Sequence, residues 1–189
     1  MRRYSITVGV ILVAIASSLA LQAKVARMSY FALVATSDLI LVGSDSSVET
    51  VGQWKVAHFT VEKVVKGRPP AEVQYLASPT WDCDIASAKL GERVLLFLRL
   101  PIPRTAPGAP PADLRNNLVY EISFAGRGRM PVDTTEDGQD VQIPTGDIEL
   151  PEDVPTSSGS DPRSTLGRRV PLSILRDLVY QAPNPPQPR

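Results

Sequence analysis

Residues 54–67, WKVAHFTVEKVVKG, constrain the fold more than any other segment, because they predict one long buried strand that ends in a turn. Apolar and polar residues alternate from Ala57 to Val61, which is typical of a strand with one face on a core. Val64 breaks the alternation, and the extra residue of a β-bulge would restore it. Gly67 and the prolines that follow end the strand, since proline cannot donate a hydrogen bond to the ladder. A long, bent strand of this kind favours a small closed or half-closed sheet.

Length and charge limit the classes of function. The 189 residues are enough for one domain with a core and tails, and short for two, so we expect a monomer of one domain. Acidic and basic residues number 20 each, so the chain lacks the excess positive charge that is typical of a nucleic-acid-binding protein. We therefore expect no nucleic-acid partner. The 18 prolines exceed the average usage of about 5% and cluster at 101–111, 144–162 and 183–188, which predicts loops and a tail.

The N-terminus predicts export. Arg2 and Arg3 precede an apolar run over residues 6–21, and small residues follow it. This order is typical of a secretory signal peptide, which we predict over residues 1–23. The alternative is an uncleaved membrane anchor, because the run approaches the roughly 18 apolar residues of a spanning helix. The membrane would then be a partner.

The remaining chain predicts an all-β domain over residues 24–150, beginning with a helix over 25–36 whose apolar residues have helical spacing. Alternating or continuous apolar runs predict strands at 38–44, 54–67, 72–78, 93–100 and 118–124, and a hairpin at 130–143. Residues 151–169 are poor in apolar side chains and predict a disordered linker. An amphipathic C-terminal helix over 170–181 and a disordered tail over 182–189 follow.

Four short motifs in order resemble a known group. The segments SDLILVGS, FTVEKVVKG, a cysteine-bearing loop and GERVLLFL are similar to those of bacterial exported proteins related to the netrin-like and tissue-inhibitor-of-metalloproteinases group. Lys66-Gly67, Cys83 and Gly91–Phe97 occupy the places of the group's motifs, and the likeness covers residues 37–97. It implies an OB-like five-stranded barrel. Animal inhibitors of the group use an N-terminal cysteine and carry several disulfides, so metalloprotease inhibition does not transfer to a chain with one cysteine.

We therefore predict an all-β fold, an OB-like small antiparallel barrel of five or six strands with flanking N-terminal and C-terminal helices. A single cysteine permits no intramolecular disulfide, so the core alone must stabilise the fold. The expected core residues are Leu39, Leu41, Phe59, Val61, Val73, Tyr75, Val94, Leu96, Leu98 and Ile122.

Few residues are candidates for catalysis. Cys83 is either a reactive thiol or a small buried apolar side chain. Asp82 and Asp84 flank it, and adjacent negative charge raises the pKa of a thiol, which disfavours an activated nucleophile. His58 is the only histidine and has no neighbour at metal-ligand spacing, so we expect an outward-facing strand residue and neither a metal nor a cofactor.

Two tryptophans remain as candidate contact residues. Trp81, in the loop over 79–90, either anchors a ligand or covers one end of the barrel. We predict a non-catalytic exported binding module for an unknown protein or an extended polymer. Its predicted binding residues are Trp81, Asp82, Asp84 and Trp54. The alternative function is a small extracytoplasmic hydrolase or a thiol-dependent redox protein that uses Cys83.

Overall fold

A computed structural model describes residues 27–52, 54–77, 88–100, 114, 119–124, 127–136, 138–144, 146–158 and 166–182. These residues are mostly in β-strands. The strands are β1 (Met28–Ser29), β2 (Leu39–Val51), β3 (Trp54–Lys66), β4 (Val73–Leu76), β5 (Arg93–Arg99), β6 (Val119–Ile122), β7 (Arg129–Thr135), β8 (Gly138–Pro144), β9 (Ile148–Glu149), β10 (Ser157–Ser158) and β11 (Leu166–Pro171). The helices are α1 (Tyr30–Thr36) and α2 (Leu172–Gln181).

One large sheet organises the fold. Its strand order is β10-β11-β8-β7-β5-β2-β3-β4-β6, and β1 pairs with β9 separately. Within the large sheet the pairing is antiparallel except between β4 and β6, which run parallel. The predicted β-rich fold with a helix near each end is confirmed. The sheet exceeds the predicted five or six strands, because β7, β8, β11 and β10 extend it from the edge of β5.

The long hairpin of β2 and β3 forms the centre of this sheet. The two strands pair from Trp54 to Lys66, and a register shift leaves Glu62 as an extra residue, so the bulge predicted near Val64 is present. Gly43 lies opposite the bulge, and a Cβ there would be only 2.0 Å from the Thr60 carbonyl oxygen. Glycine is therefore required at this close approach of the two backbones.

An inner core lies between β2, β3, β4, β6 and β5. On one side of β5, its N-terminal part pairs with β7 and its C-terminal end pairs with β6. On the other side, β5 pairs with β2. The buried members of this core are Leu39, Leu41, Ala57, Phe59, Val73, Tyr75, Ala77, Val94, Leu96, Leu98, Tyr120 and Ile122. They include all the predicted core residues except Val61, which is partly buried against them.

A second core lies on the opposite face of β2 and β5. Leu95 and Phe97 point into it, so β5 is buried on both faces, as its continuous apolar run predicts. Both helices and the strands β7, β8 and β11 cover this face. Tyr30 links the two helices, since its ring meets Phe97 edge-on at 5.8 Å and its hydroxyl donates to the Leu175 carbonyl at 3.0 Å.

The segment 151–169, predicted as a disordered linker, instead contributes β10 and the first residues of β11. Val170 pairs with Val141 of β8 and is fully buried, so β11 is part of the large sheet. The hydropathy pattern does not indicate this strand, because Arg168 and Arg169 are charged, although both side chains are only partly exposed. Residues 159–165 lie outside the described part of the chain.

The termini differ slightly from the predicted boundaries. α1 begins at Tyr30 because the Ser29 hydroxyl accepts a hydrogen bond from the Ala32 N–H at 3.1 Å, and α2 begins at Leu172 instead of residue 170. None of the described helices is long and apolar enough to cross a membrane. The predicted signal peptide over 1–23 and the tail beyond Ala182 are outside the described residues.

Candidate functional site

The predicted binding residues divide into two groups. Trp81, Asp82 and Asp84 lie outside the described residues, together with Cys83. Trp54 begins β3 and is partly buried. It packs on an apolar cluster formed by Val51, Val56, Leu76, Leu114 and Val119. Val56 and Leu76 alternate with inner-core residues, so this cluster lies on the outer face of β3 and β4 and holds Trp54 there.

A buried ionic cluster, named the interior ion cluster, joins Asp45, Tyr75, Glu92 and Arg129. Arg129 Nη2 lies 2.9 Å from Asp45 Oδ2, and Arg129 Nη1 lies 2.7 Å from Glu92 Oε2. The Tyr75 hydroxyl donates to Asp45 Oδ1 at 2.7 Å. The side chains of Asp45 and Arg129 are 0% and 1% exposed, whereas that of Glu92 is 25% exposed. The cluster therefore links the inner core to the surface.

Strand register brings these side chains together. Asp45 continues the inward-facing phase of Leu39 and Leu41 along β2, so its burial could have been inferred from the sequence alternation. The Gly91 N–H donates to the Asp45 carbonyl at 3.0 Å and so places the residue before β5 beside β2. Arg129 pairs with Leu96 on β5, a long-range contact for which the sequence carries no local signal.

The electrostatics favour a stabilising role for the interior ion cluster. Burial raises the pKa of the Tyr75 hydroxyl, and the Asp45 carboxylate raises it further, so Tyr75 remains a neutral donor. Burial acts to lower the pKa of Arg129, but Tyr75, Asp45 and Glu92 outweigh it and raise this pKa above its usual value. Neither group titrates near neutral pH, where a general acid or base must work.

A second polar constellation lies in a groove of about 430 Å³ on the outer face of β3, named the β3 groove. Its lining consists of Ser46, Ser47, His58, Phe59, Thr60, Val61, Pro69, Pro70, Ala71 and Glu72. His58 Nδ1 lies 2.7 Å from Glu72 Oε1, and His58 Nε2 lies 3.5 Å from Glu49 Oε1. Hydrogen bonds from Gln74 and His58 lower the pKa of Glu72, so the groove carries a carboxylate at neutral pH.

His58 occupies an outward-facing position on β3, as predicted, and its side chain is 23% exposed. Its carboxylate neighbours were not predicted, because Glu49 and Glu72 belong to other parts of the chain and meet His58 only through strand pairing. Across the described ranges, no group of three or more His, Cys, Asp or Glu residues could hold a metal ion. The arrangement can accept hydrogen bonds and bind a cationic or N–H donor group.

The chain matches no protein-family model, no curated protein and no solved structure.

Proposed function

We propose that this protein is an exported, non-catalytic binding module on an OB-like barrel, and that it holds an extended polypeptide along the outer face of β3 and β4. The cyclic order of pairings, β2-β3-β4-β6-β5 and back to β2, supports the OB-like part of the proposal. OB-folds are five-stranded, partly open barrels that bind extended chains on one strand face and its adjoining loops.

The inner core is closely packed, so we place the ligand on an external face of the sheet. Twelve buried apolar residues and the buried part of the interior ion cluster occupy the space between the five strands. A close-packed interior of this kind leaves no room for a ligand of several residues. An external face is therefore the binding surface that the proposal requires.

The single observation that carries the proposal is the outer face of β3. Trp54, Val56, His58 and Thr60 alternate with inner-core residues and so share this face, on which Val56 is buried in the apolar cluster and the other three are at least partly exposed. The aromatic end at Trp54 and the acidic end at His58 and Glu72 are separated by roughly 13 Å, at about 3.3 Å per strand residue. An extended segment of about four residues would reach both ends, with an apolar side chain at Trp54 and a donor group at Glu72.

We propose that the loop over 79–90 adds to this surface. It follows β4, whose Leu76 already belongs to the apolar cluster beneath Trp54. We place Trp81, Asp82 and Asp84 in this surface as additional contacts, because aromatic side chains on loops commonly anchor ligands and acidic neighbours suit a cationic segment.

A selection of peptides from a phage-displayed random library on the purified full chain tests this function. We expect recovered peptides to bind about tenfold or more weakly to His58→Ala and Glu72→Gln, which is a loss of about 1.4 kcal/mol. Glu149→Gln is the matched control, since it removes an exposed carboxylate from β9, far along the chain from this face. Equal binding to wild type and to both groove variants would contradict the proposal.

Substitution of Trp81 tests the part of the proposal that concerns the loop over 79–90. If Trp81 is an anchor, Trp81→Ala leaves the melting temperature nearly unchanged and abolishes binding of the selected peptides. A tryptophan that covers the barrel end would do the reverse, at a cost of about 3 to 5 kcal/mol. Turnover in a broad hydrolase screen that disappears in Cys83→Ser would instead establish the catalytic alternative.

Export is tested separately from binding. Intact-mass analysis of the protein from an expressing cell should show a chain that begins near Leu21 or Lys24. Retention of Met1 together with carbonate-resistant membrane association would establish the uncleaved anchor.

A further inference from the structure

A second groove, named the α2 groove, lies where the start of α2 meets β2, β3, β5 and β8. Its volume is about 540 Å³, within the range of about 300 to 1,000 Å³ that is usual for small-molecule sites. Its lining residues are Val42, Lys63, Val65, Arg93, Gly138, Gln139, Asp140, Pro171, Leu172, Ser173 and Arg176. The lining thus combines an apolar floor with several charged groups.

The charged groups favour an anion. Three of the lining residues, Lys63, Arg93 and Arg176, are cationic, whereas Asp140 is the only acidic residue among the lining side chains described. Arg93 is held by Glu62, with Nε and Nη2 each 2.7 Å from Oε2, so much of its charge is already compensated. Lys63 and Arg176 are therefore the cations with most charge to offer a ligand.

The surroundings of these two cations are open. Lys63 is exposed on β3 and forms no ion pair with another described residue. Arg176 lies 3.4 Å from the neighbouring Asp177, and that carboxylate is 59% exposed, so the contact is a weak surface pair. A ligand carboxylate could bind both cations without breaking a buried interaction.

The apolar floor of the α2 groove favours a ligand that also carries a hydrocarbon part. Val42 and Val65 belong to the second core, and Leu172 begins the helix that covers it. Val42 is fully buried, so the apolar surface that remains at the groove comes from Val65, Leu172 and the partly buried Pro171. Apolar surface in a groove gains free energy when a hydrocarbon chain displaces water from it, at about 25 cal/mol per Å². A small hydrophilic anion would leave this floor exposed to water, whereas an anion with an apolar tail would cover it.

We propose that the α2 groove binds an amphiphilic carboxylate, with its carboxylate between Lys63 and Arg176 and its hydrocarbon chain on Val65, Pro171 and Leu172. This site is independent of the proposed polypeptide-binding face, because the two grooves share no lining residue.

Isothermal titration calorimetry of the full chain with decanoate tests the proposal. We expect saturable binding of one decanoate, no binding of decyltrimethylammonium, and much weaker binding of acetate, which has the head group without the chain. Lys63→Gln and Arg176→Gln should each weaken decanoate binding about threefold, and the double variant about tenfold. Higher salt should also weaken it, because both cations are solvent-accessible.

Two further variants separate the site from general effects of charge or folding. Lys55→Gln removes a cation from the same strand outside the α2 groove and should leave the affinity for decanoate unchanged. Ser173→Trp adds a large side chain at the exposed start of α2 and should abolish binding while the melting temperature stays the same. Unchanged affinity in the Lys63→Gln/Arg176→Gln double variant, equal binding of the cationic amphiphile, or no binding of decanoate would overturn the proposal.

Discussion

Removal of the Arg129 cation should test the interior ion cluster most sharply. Arg129→Met deletes the guanidinium and leaves the Asp45 carboxylate, which is 0% exposed, with only the Tyr75 hydroxyl as a side-chain partner among the described residues. A buried carboxylate without its cation is costly, because low-dielectric surroundings replace water around the charge. Breaking one side of a buried pair costs about 3 to 5 kcal/mol.

A double variant then removes the Asp45 carboxylate that Arg129→Met leaves without its cation. In the double variant Asp45→Leu/Arg129→Met both ions are replaced by apolar side chains, and we expect at least half of the lost stability to return. Urea unfolding, followed by tryptophan fluorescence, measures the free energy of unfolding of each variant. For a chain of this size, the single variant should melt about 6 to 20 °C below the wild type.

Arg127→Met is the matched control for this cycle. Arg127 also forms an ion pair, with Nε 2.7 Å from Asp147 Oδ2, but the two side chains are 18% and 27% exposed. Water screens the charge left behind, so we expect a loss of only about 1 kcal/mol. A loss in Arg129→Met no larger than that in Arg127→Met, or a double variant less stable than the single one, would refute the reasoning.

Two further predictions concern strained backbone and buried tyrosines. Gly67→Ala should cost more stability than Gly52→Ala in a thermal melt: both have positive φ, but a Cβ at Gly67 would lie 2.4 Å from the Asp38 carbonyl oxygen, whereas nothing lies within 4 Å at Gly52. Burial raises the pKa of Tyr30 and Tyr75 in the folded state, so above about pH 10 only the unfolded chain releases these protons, and stability should fall as pH rises. Phenolate absorbance of native Tyr30 and Tyr75 below pH 11 would contradict this expectation.

Much of the inner core could be predicted from sequence because the strand period reports burial directly. Phe59, Val73 and Tyr75 alternate with polar residues, and every second side chain of a strand faces the same way, so naming the strand also names its buried face. The bulge could be predicted for the same reason, since an interruption of the period requires an extra residue. The second core was harder to predict, since β7, β8, β11 and both helices contribute to it from separate parts of the chain.

The candidate sites were less predictable than the core. Arg129 follows Gly128 in a run whose glycines indicate a turn, and its burial depends on pairing with β5. Glu49 and Glu72 meet His58 from opposite sides because β2 and β4 both pair with β3. Charged residues of this kind are usually exposed, so composition alone assigns them to the surface.

The sequence by itself determined the segments that become β2 to β8, because a strand's pattern of apolar residues depends on neighbours one or two residues away. Only the tertiary structure decided that β5 lies between β2, β6 and β7, and that the chain after Pro151 adds β10 and β11 to the same sheet. Strand neighbours are chosen by the free energy of pairing between distant segments, which no local period records. The interior ion cluster and both grooves arise from that choice, since each is made of side chains that are far apart in the sequence.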